Sequence, residues 1–86
     1  MIDAVILLTA IPGEEYHIQE ELEKYEEVTR AKMCFGEYDI FVEIQTPNIK
    51  TLGQLISKKI RIITGIKSTV TLIITDQAFG TKKEPT

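Results

Sequence analysis

The 86-residue chain has no tryptophan, one cysteine (Cys34), one histidine (His17) and few prolines. A single cysteine excludes an internal disulfide and any zinc site built from several thiolates. Excess positive charge is missing as well: ten Lys and Arg stand against thirteen Asp and Glu, giving a net charge of -3 and a pI near 5.1. That balance is not the electrostatic footprint of a protein that grips DNA or RNA. Long hydrophobic runs are absent too. The start, MIDAVILLTAIPGEE, carries a short apolar run, but Asp3 precedes it and neither a basic segment nor a small-residue cleavage site frames it. It reads as a strand of a cytoplasmic protein, not as an export signal or a membrane anchor.

What is present, 43% hydrophobic and 27% charged residues, suits one small globular domain. Domains of this size bury a thin core and gain stability from disulfides, metals or partner chains. With the cysteine count against the first and no metal motif in sight, partner chains remain.

The chain divides into six elements without an internal linker. DAVILLTAI (3–11) is short, rich in β-branched residues and stopped by Pro12-Gly13, which marks a strand. In GEEYHIQEELEKY, Ile18, Leu22 and Tyr25 recur at helical spacing, and Glu14 and Glu15 fall in the first turn, where carboxylates favour the positive helix end. EVTRAKMCF (27–35) alternates Val28, Arg30 and Lys32 against Thr29, Ala31 and Met33, as a half-exposed edge strand does. Gly36-Glu37 then turns the chain into YDIFVEIQ (38–45), with Tyr38, Ile40, Val42 and Ile44 on one face of a hairpin.

Thr46-Pro47 is expected to cap and open a second helix whose apolar stripe is Ile49, Leu52, Leu55, Ile56, Ile60 and Ile63. Lys58, Lys59 and Arg61 gather at its negative end and Gly65 terminates it. IKSTVTLIIT (66–75) is the last strand, closing a domain over 1–75. DQAFGTKKEPT (76–86) reads as a loose polar tail.

The order βαββαβ predicts an α+β, ferredoxin-like fold: an antiparallel sheet of order 4-1-3-2 with both helices on one face. The face without helices should then be polar in a chain that works alone. Yet the first strand is apolar at both parities, Ala4, Ile6 and Leu8 on one side and Val5 and Leu7 on the other. Burying a large aliphatic side chain is worth roughly 1.5 to 3 kcal/mol, so a second copy is expected to cover that face in a two-fold, sheet-on-sheet dimer.

In this topology the third and fourth strands flank the first and run the same way, so Asp39 and Ser68-Thr69 start them at one edge of the sheet. Two strand spacings, roughly 10 Å, separate these residues, with Thr9 between them. A small metabolite fits such a gap. Asp39 offers a fixed negative charge, backbone N–H groups of the Gly36-Glu37 turn offer an anion-binding concavity, and Ser68, Thr69 and Thr71 offer hydroxyls. An ammonium and a carboxylate, the two groups every amino acid carries, both find partners there. The alternative is local: an Asp beside a glycine turn commonly accepts a nearby backbone N–H, and threonines are ordinary strand residues.

FGEYDIFVEIQT, followed after the second helix by ITGIKSTVTLIIT, resembles the effector-binding and oligomerisation domain (RAM domain) of the Lrp/AsnC-type, or feast/famine, transcriptional regulators. The resemblance spans about residues 2 to 75. It rests on G-x-Y-D at Gly36, Tyr38 and Asp39, on Gly65-Ile66, and on S-T-x-T at Ser68, Thr69 and Thr71. It implies dimers joined through their sheets, rings of dimers such as octamers, and an effector, usually an amino acid, held between dimers. It also implies ligand contacts from the Gly36, Glu37, Tyr38 and Asp39 loop and from Thr69 and Thr71. Family members carry a helix-turn-helix ahead of this domain, whereas here the first strand begins within three residues of Met1. That predicts a stand-alone form, with regulation exerted through a DNA-binding relative or another partner protein rather than by direct nucleic-acid binding.

Other groups read as structural. His17 falls off the helix stripe, Cys34 lacks a second thiol, and the acidic run EEYHIQEELEKYEE lacks a compact cation-binding pattern and solvates a helix face. No cofactor, metal site or catalytic residue is expected. A small dimeric α/β-barrel enzyme is the competing class, disfavoured because no histidine accompanies Asp39 and Glu43. An ACT-type amino-acid-binding domain shares both plan and ligand class. An RNA-binding module on this plan lacks its stacking aromatics.

Overall fold

The computed structural model describes residues 1–76. Its elements are β1 (Ile2–Ala10), α1 (Glu15–Glu23), β2 (Val28–Met33), β3 (Ile40–Thr46), α2 (Ile49–Leu55) with a π-helical continuation over Ile56–Ile60, and β4 (Ile66–Ile74). The strands form one antiparallel sheet in the order β2-β3-β1-β4, the expected 4-1-3-2 order read from the other edge. Beyond Asp76, the tail expected over 76–86 lies outside the described residues.

Register decides which side chains meet the helices. Ile6 lies opposite Val42 and Thr71, and Leu8 opposite Ile40 and Thr69. One face therefore gathers Ala4, Ile6, Leu8, Ile40, Val42 and Ile44, all buried beneath Ile18 and Leu22 of α1 and Leu52, Leu55, Ile60 and Ile63 from the second helical segment. A side-chain hydrogen bond also ties α1 to the edge strand, Gln19 Nε2 donating to the Ala31 carbonyl at 2.8 Å.

The other face carries Val5, Leu7, Phe41, Val70, Leu72 and Ile74 by the same alternation. Among the described residues no helix covers it, and Val70 and Leu72 are 38% and 48% exposed. Two polar pairs cross this open face beside the apolar strip. Arg30 Nη2 and Nε donate to Glu43 Oε2 at 3.0 and 3.2 Å, and Gln45 Nε2 donates to Asp3 Oδ1 at 2.9 Å. Both acids are largely buried within the single chain, and their bonds satisfy them there.

Local geometry departs from the sequence reading in four places. Strand β2 contains a bulge at Thr29, since Val28 pairs with Ile44 and Arg30 with Glu43. The extra residue returns Val28 to the helix-covered side, where it packs on the core, instead of leaving it beside Arg30 and Lys32. The hairpin loop spans 34–39, so Tyr38 precedes β3 instead of opening it. Asn48, not Thr46, caps α2, its Oδ1 accepting the Thr51 N–H at 2.8 Å, while Thr46 is fully buried at the end of β3. Finally, the helix widens after Leu55. The Arg61 N–H bonds to the Ile56 carbonyl at 2.9 Å, five residues back. Ile60 thereby reaches the core, whereas Ile49 is exposed and Ile56 only partly buried.

Gly65 ends this segment with φ of +103°, and a Cβ there would stand 2.8 Å from Glu14 Cβ. Its carbonyl accepts the Ile11 N–H at 2.8 Å, joining the two helix–strand junctions. Gly36 has φ of +131° but open space around it. Gly65→Ala is therefore expected to cost about 3 kcal/mol, strain plus displacement of Glu14, and Gly36→Ala only about 1 to 2 kcal/mol. Urea melts of both variants check this ranking, and equal losses would show that the close approach at Gly65 is unimportant.

Candidate functional site

The antiparallel pairing places the end of β1 between the starts of β3 and β4. Thr9, Ala10, Asp39 and Ser68 consequently meet at one sheet edge. Asp39 is fixed there twice: its N–H donates to the Leu8 carbonyl at 2.8 Å, and its Oδ2 accepts the Ala10 N–H at 2.7 Å. The carboxylate does accept a backbone N–H, but from a residue 29 positions away. It therefore locks hairpin to central strand rather than shaping its own turn. An ionised carboxylate has about four acceptor sites, so this bond leaves capacity for a ligand.

The expected gap on the β4 side is bridged by the protein itself, since the Thr9 and Ser68 hydroxyls are 2.6 Å apart in a hydrogen bond. Ser68 pairs with Thr9 and so points to the open face, while Thr69 and Thr71, opposite Leu8 and Ile6, point to the helix side. Gly36 and Glu37 lie exposed at the tip of the 34–39 loop, with Tyr38 half-buried. That loop is closed by the Cys34 N–H bonding to the Asp39 carbonyl at 2.9 Å, and Cys34 Sγ donates to the Tyr38 carbonyl at 3.3 Å.

Two hollows flank this edge. The larger, about 350 Å³, is lined by Glu15, Tyr16, Met33, Cys34, Phe35 and Asp39. Apolar walls from α1, β2 and the loop surround two carboxylates, and no cation among the described residues lines it. The smaller, about 170 Å³, is lined by Arg61, Ile66, Lys67, Ser68 and Thr69. A bulge creates part of it: Thr9 pairs with Ser68 and Ala10 with Ile66, leaving Lys67 as the extra residue of β4. Asp39 thus lines one hollow and Ser68 and Thr69 the other, while Thr71 lines neither.

Sequence reasoning did not single out Tyr16, Phe35, Arg61 or Lys67 as ligand-facing. Only Phe35 carried a signal, an aromatic directly beside the turn glycine Gly36, and its side chain is fully exposed. Away from this edge, His17 is exposed on α1. Among the described residues no group of three His, Cys, Asp or Glu is arranged to hold a metal ion, and no helix is long and apolar enough to cross a membrane. In the acidic run of α1, Lys24 lies 2.5 Å from Glu21 and holds its carboxyl below the usual range. That exposed pair is a solvated surface contact of little energetic weight.

Comparison with known proteins agrees with this architecture. A family model described as the Lrp/AsnC ligand binding domain matches residues 3–83, a few residues further than the motifs alone reach. The HTH-type transcriptional regulator PH0140 of Pyrococcus horikoshii is 36% identical over 72 residues, covering 84% of this chain and 46% of that protein. The crystal structure of FFRP-DM1 matches with a TM-score of 0.83 and 38% identity, covering 86% of this chain and 99% of that one. E. coli AsnC matches with a TM-score of 0.86 and 27% identity, covering 98% of this chain and 57% of that one. The chain spans about half the length of the curated relatives it matches. With the sheet order, the loop and the family model in agreement, the chain belongs to the Lrp/AsnC ligand-binding domain family.

Proposed function

We propose that this domain binds a free amino acid without transforming it and couples that binding to self-assembly, acting in transcriptional or metabolic regulation in the cytoplasm. The observation that carries the reading is Asp39. It is a carboxylate fixed by the Ala10 N–H at 2.7 Å, standing at the wall of a hollow of about 350 Å³ with apolar sides. Such a group suits the ammonium of an amino acid whose side chain packs against the apolar walls. Backbone N–H groups of Gly36, Glu37 and Tyr38, in the loop between Phe35 and Asp39 of that wall, are the candidates for its carboxylate, whereas the hydroxyls of Ser68 and Thr69 belong to the smaller hollow. A ligand-binding role rather than catalysis is supported by the match to a ligand-binding domain and by relatives that are named as transcriptional regulators.

The assembly is a homodimer formed through the open sheet faces, with dimers joining into rings such as octamers. Finishing the burial of a half-exposed Val70 or Leu72 is worth on the order of 1 kcal/mol, and a two-fold contact counts each residue twice. The domain over 1–75 supplies both activities. An acidic net charge of -3 disfavours direct nucleic-acid contact, so regulation passes through a DNA-binding relative or another partner protein.

Calorimetric titration with a panel of amino acids tests the reading. At least one is expected to bind the wild-type chain. Asp39→Ala is expected to weaken that binding at least tenfold while the dimer persists, because Asp39 sits at the sheet edge and away from the apolar strip. It also removes the acceptor of the Ala10 N–H, so the variant should lose about 1 to 3 kcal/mol of stability. Asp39→Asn, which keeps an acceptor oxygen, should recover most of the stability but little of the binding. Unchanged affinity in a folded Asp39→Ala protein would remove the residue from the site.

A further inference from the structure

Away from the larger, acidic hollow around Asp39, the smaller hollow of about 170 Å³ gathers Arg61, Ile66, Lys67, Ser68 and Thr69. The chain reversal between Arg61 and Lys67 explains how two cations come to share it. Arg61 ends the π-helical segment, its N–H bonded to the Ile56 carbonyl, and Gly65 turns the backbone with φ of +103°. The bulge that makes Lys67 the extra residue of β4 then sets it in the same hollow as Arg61. Among the described residues neither cation has an ion-pair partner, whereas Lys24, Arg30 and Lys59 each hold a carboxylate. No acid among the described residues lines this hollow, although acids outnumber bases in the chain by thirteen to ten. Two like charges brought together without a counter-charge repel each other, and an anion between them removes that cost.

We propose that this hollow binds a phosphate group, as free phosphate or as the head of a small phosphomonoester, and that one chain supplies the whole site. This goes beyond the amino-acid reading, because the ligand class, the lining residues and the flank of β1 all differ. A carboxylate carries one charge and two oxygens, which a single arginine fork satisfies. Here the donors exceed that need. Arg61 and Lys67 bring two positive charges, and Ser68 and Thr69 add hydroxyls. A phosphomonoester, with a charge of about -1.5 to -2 and three strong acceptor oxygens, matches that set. The Ser68 hydroxyl lies 2.6 Å from that of Thr9. When Thr9 supplies the proton of that bond, the Ser68 proton is free for the anion, and bonds in such a hydroxyl chain strengthen one another. Drug-sized ligands occupy about 300 to 1,000 Å³, so a hollow of about 170 Å³ takes the phosphate head and leaves the rest of an ester at the surface.

Titration followed by amide NMR of the isotope-labelled chain tests the site, in chloride buffer of low ionic strength because salt screens exposed cations. The probes are inorganic phosphate, glycerol 3-phosphate, sulfate, and acetate as a singly charged carboxylate. The first three are expected to shift the amides of Lys67, Ser68 and Thr69 in a saturable way, and acetate to bind at least about tenfold more weakly. Arg61→Gln with Lys67→Gln should weaken phosphate binding at least about tenfold. Lys24→Gln with Lys50→Gln removes the same two charges elsewhere on the surface and should bind phosphate like wild type. All four positions are exposed, so both variants should melt within a few degrees of the parent chain. As pH falls through about 6, glycerol 3-phosphate takes up its second proton and should lose affinity, while sulfate should not. Tighter binding of glycerol 3-phosphate than of inorganic phosphate assigns the site to an ester; equal or weaker binding assigns it to free phosphate. If the Lys24→Gln/Lys50→Gln control loses as much affinity as the Arg61→Gln/Lys67→Gln chain, if acetate binds as tightly as phosphate, or if no saturable shift arises at 67–69, the phosphate site is wrong. The amino-acid reading is untouched by that failure, since it rests on Asp39 and its own titration.

Discussion

Covering a sheet on one side only is the constraint from which the rest of this molecule follows. Both crossovers, β1 to β2 through α1 and β3 to β4 through the second helical segment, place their helices on the same face. That face holds the whole buried cluster of large aliphatic side chains. The opposite face carries Val5, Leu7, Phe41, Val70, Leu72 and Ile74, and among the described residues no helix lies over them. An apolar sheet face in water is unfavourable in proportion to its area. The Arg30–Glu43 and Gln45–Asp3 pairs lie beside that strip, each acid already holding a side-chain partner, so covering it would strand no unpaired acid. The proposed sheet-on-sheet dimer answers this constraint.

The same antiparallel register that sorts faces also sorts ends. Because β3 and β4 run alike on either side of β1, their first residues and the last residues of β1 share one edge. Asp39 stands there as a structural clamp on Ala10 and as the charged wall of a hollow. A residue that serves both purposes holds its carboxylate still without help from a ligand, which lowers the ordering cost of binding. The proposed amino-acid reading draws on that fixed charge.

Much of this was legible in the linear sequence, for physical reasons. The six elements follow from period-two and period-3.6 patterning bounded by Pro12-Gly13, Gly36 and Gly65, and βαββαβ order leaves few topologies. The meeting of Asp39, Thr9 and Ser68 followed from strand direction alone. What escaped depends on hydrogen bonding that composition does not report. The bulges at Thr29 and Lys67 add one residue to a strand without changing its composition, so Val28 changed sides and Lys67 was overlooked. Asn48 outcompetes Thr46 for the helix cap because Thr46 is still needed in the sheet. The π-helical widening changes which of Ile49, Ile56 and Ile60 is buried. The walls of the acidic hollow come from α1, β2 and the loop, and sequence proximity gives no hint that Tyr16 and Met33 share a surface.

The central claim, that the helix-free face is covered by a second copy, is tested most directly by sedimentation equilibrium over a dilution series of the purified chain. The account predicts a mass of two chains or an even multiple of them, falling toward the single-chain mass only at high dilution. A soluble, folded single chain at every concentration up to the highest accessible would contradict it.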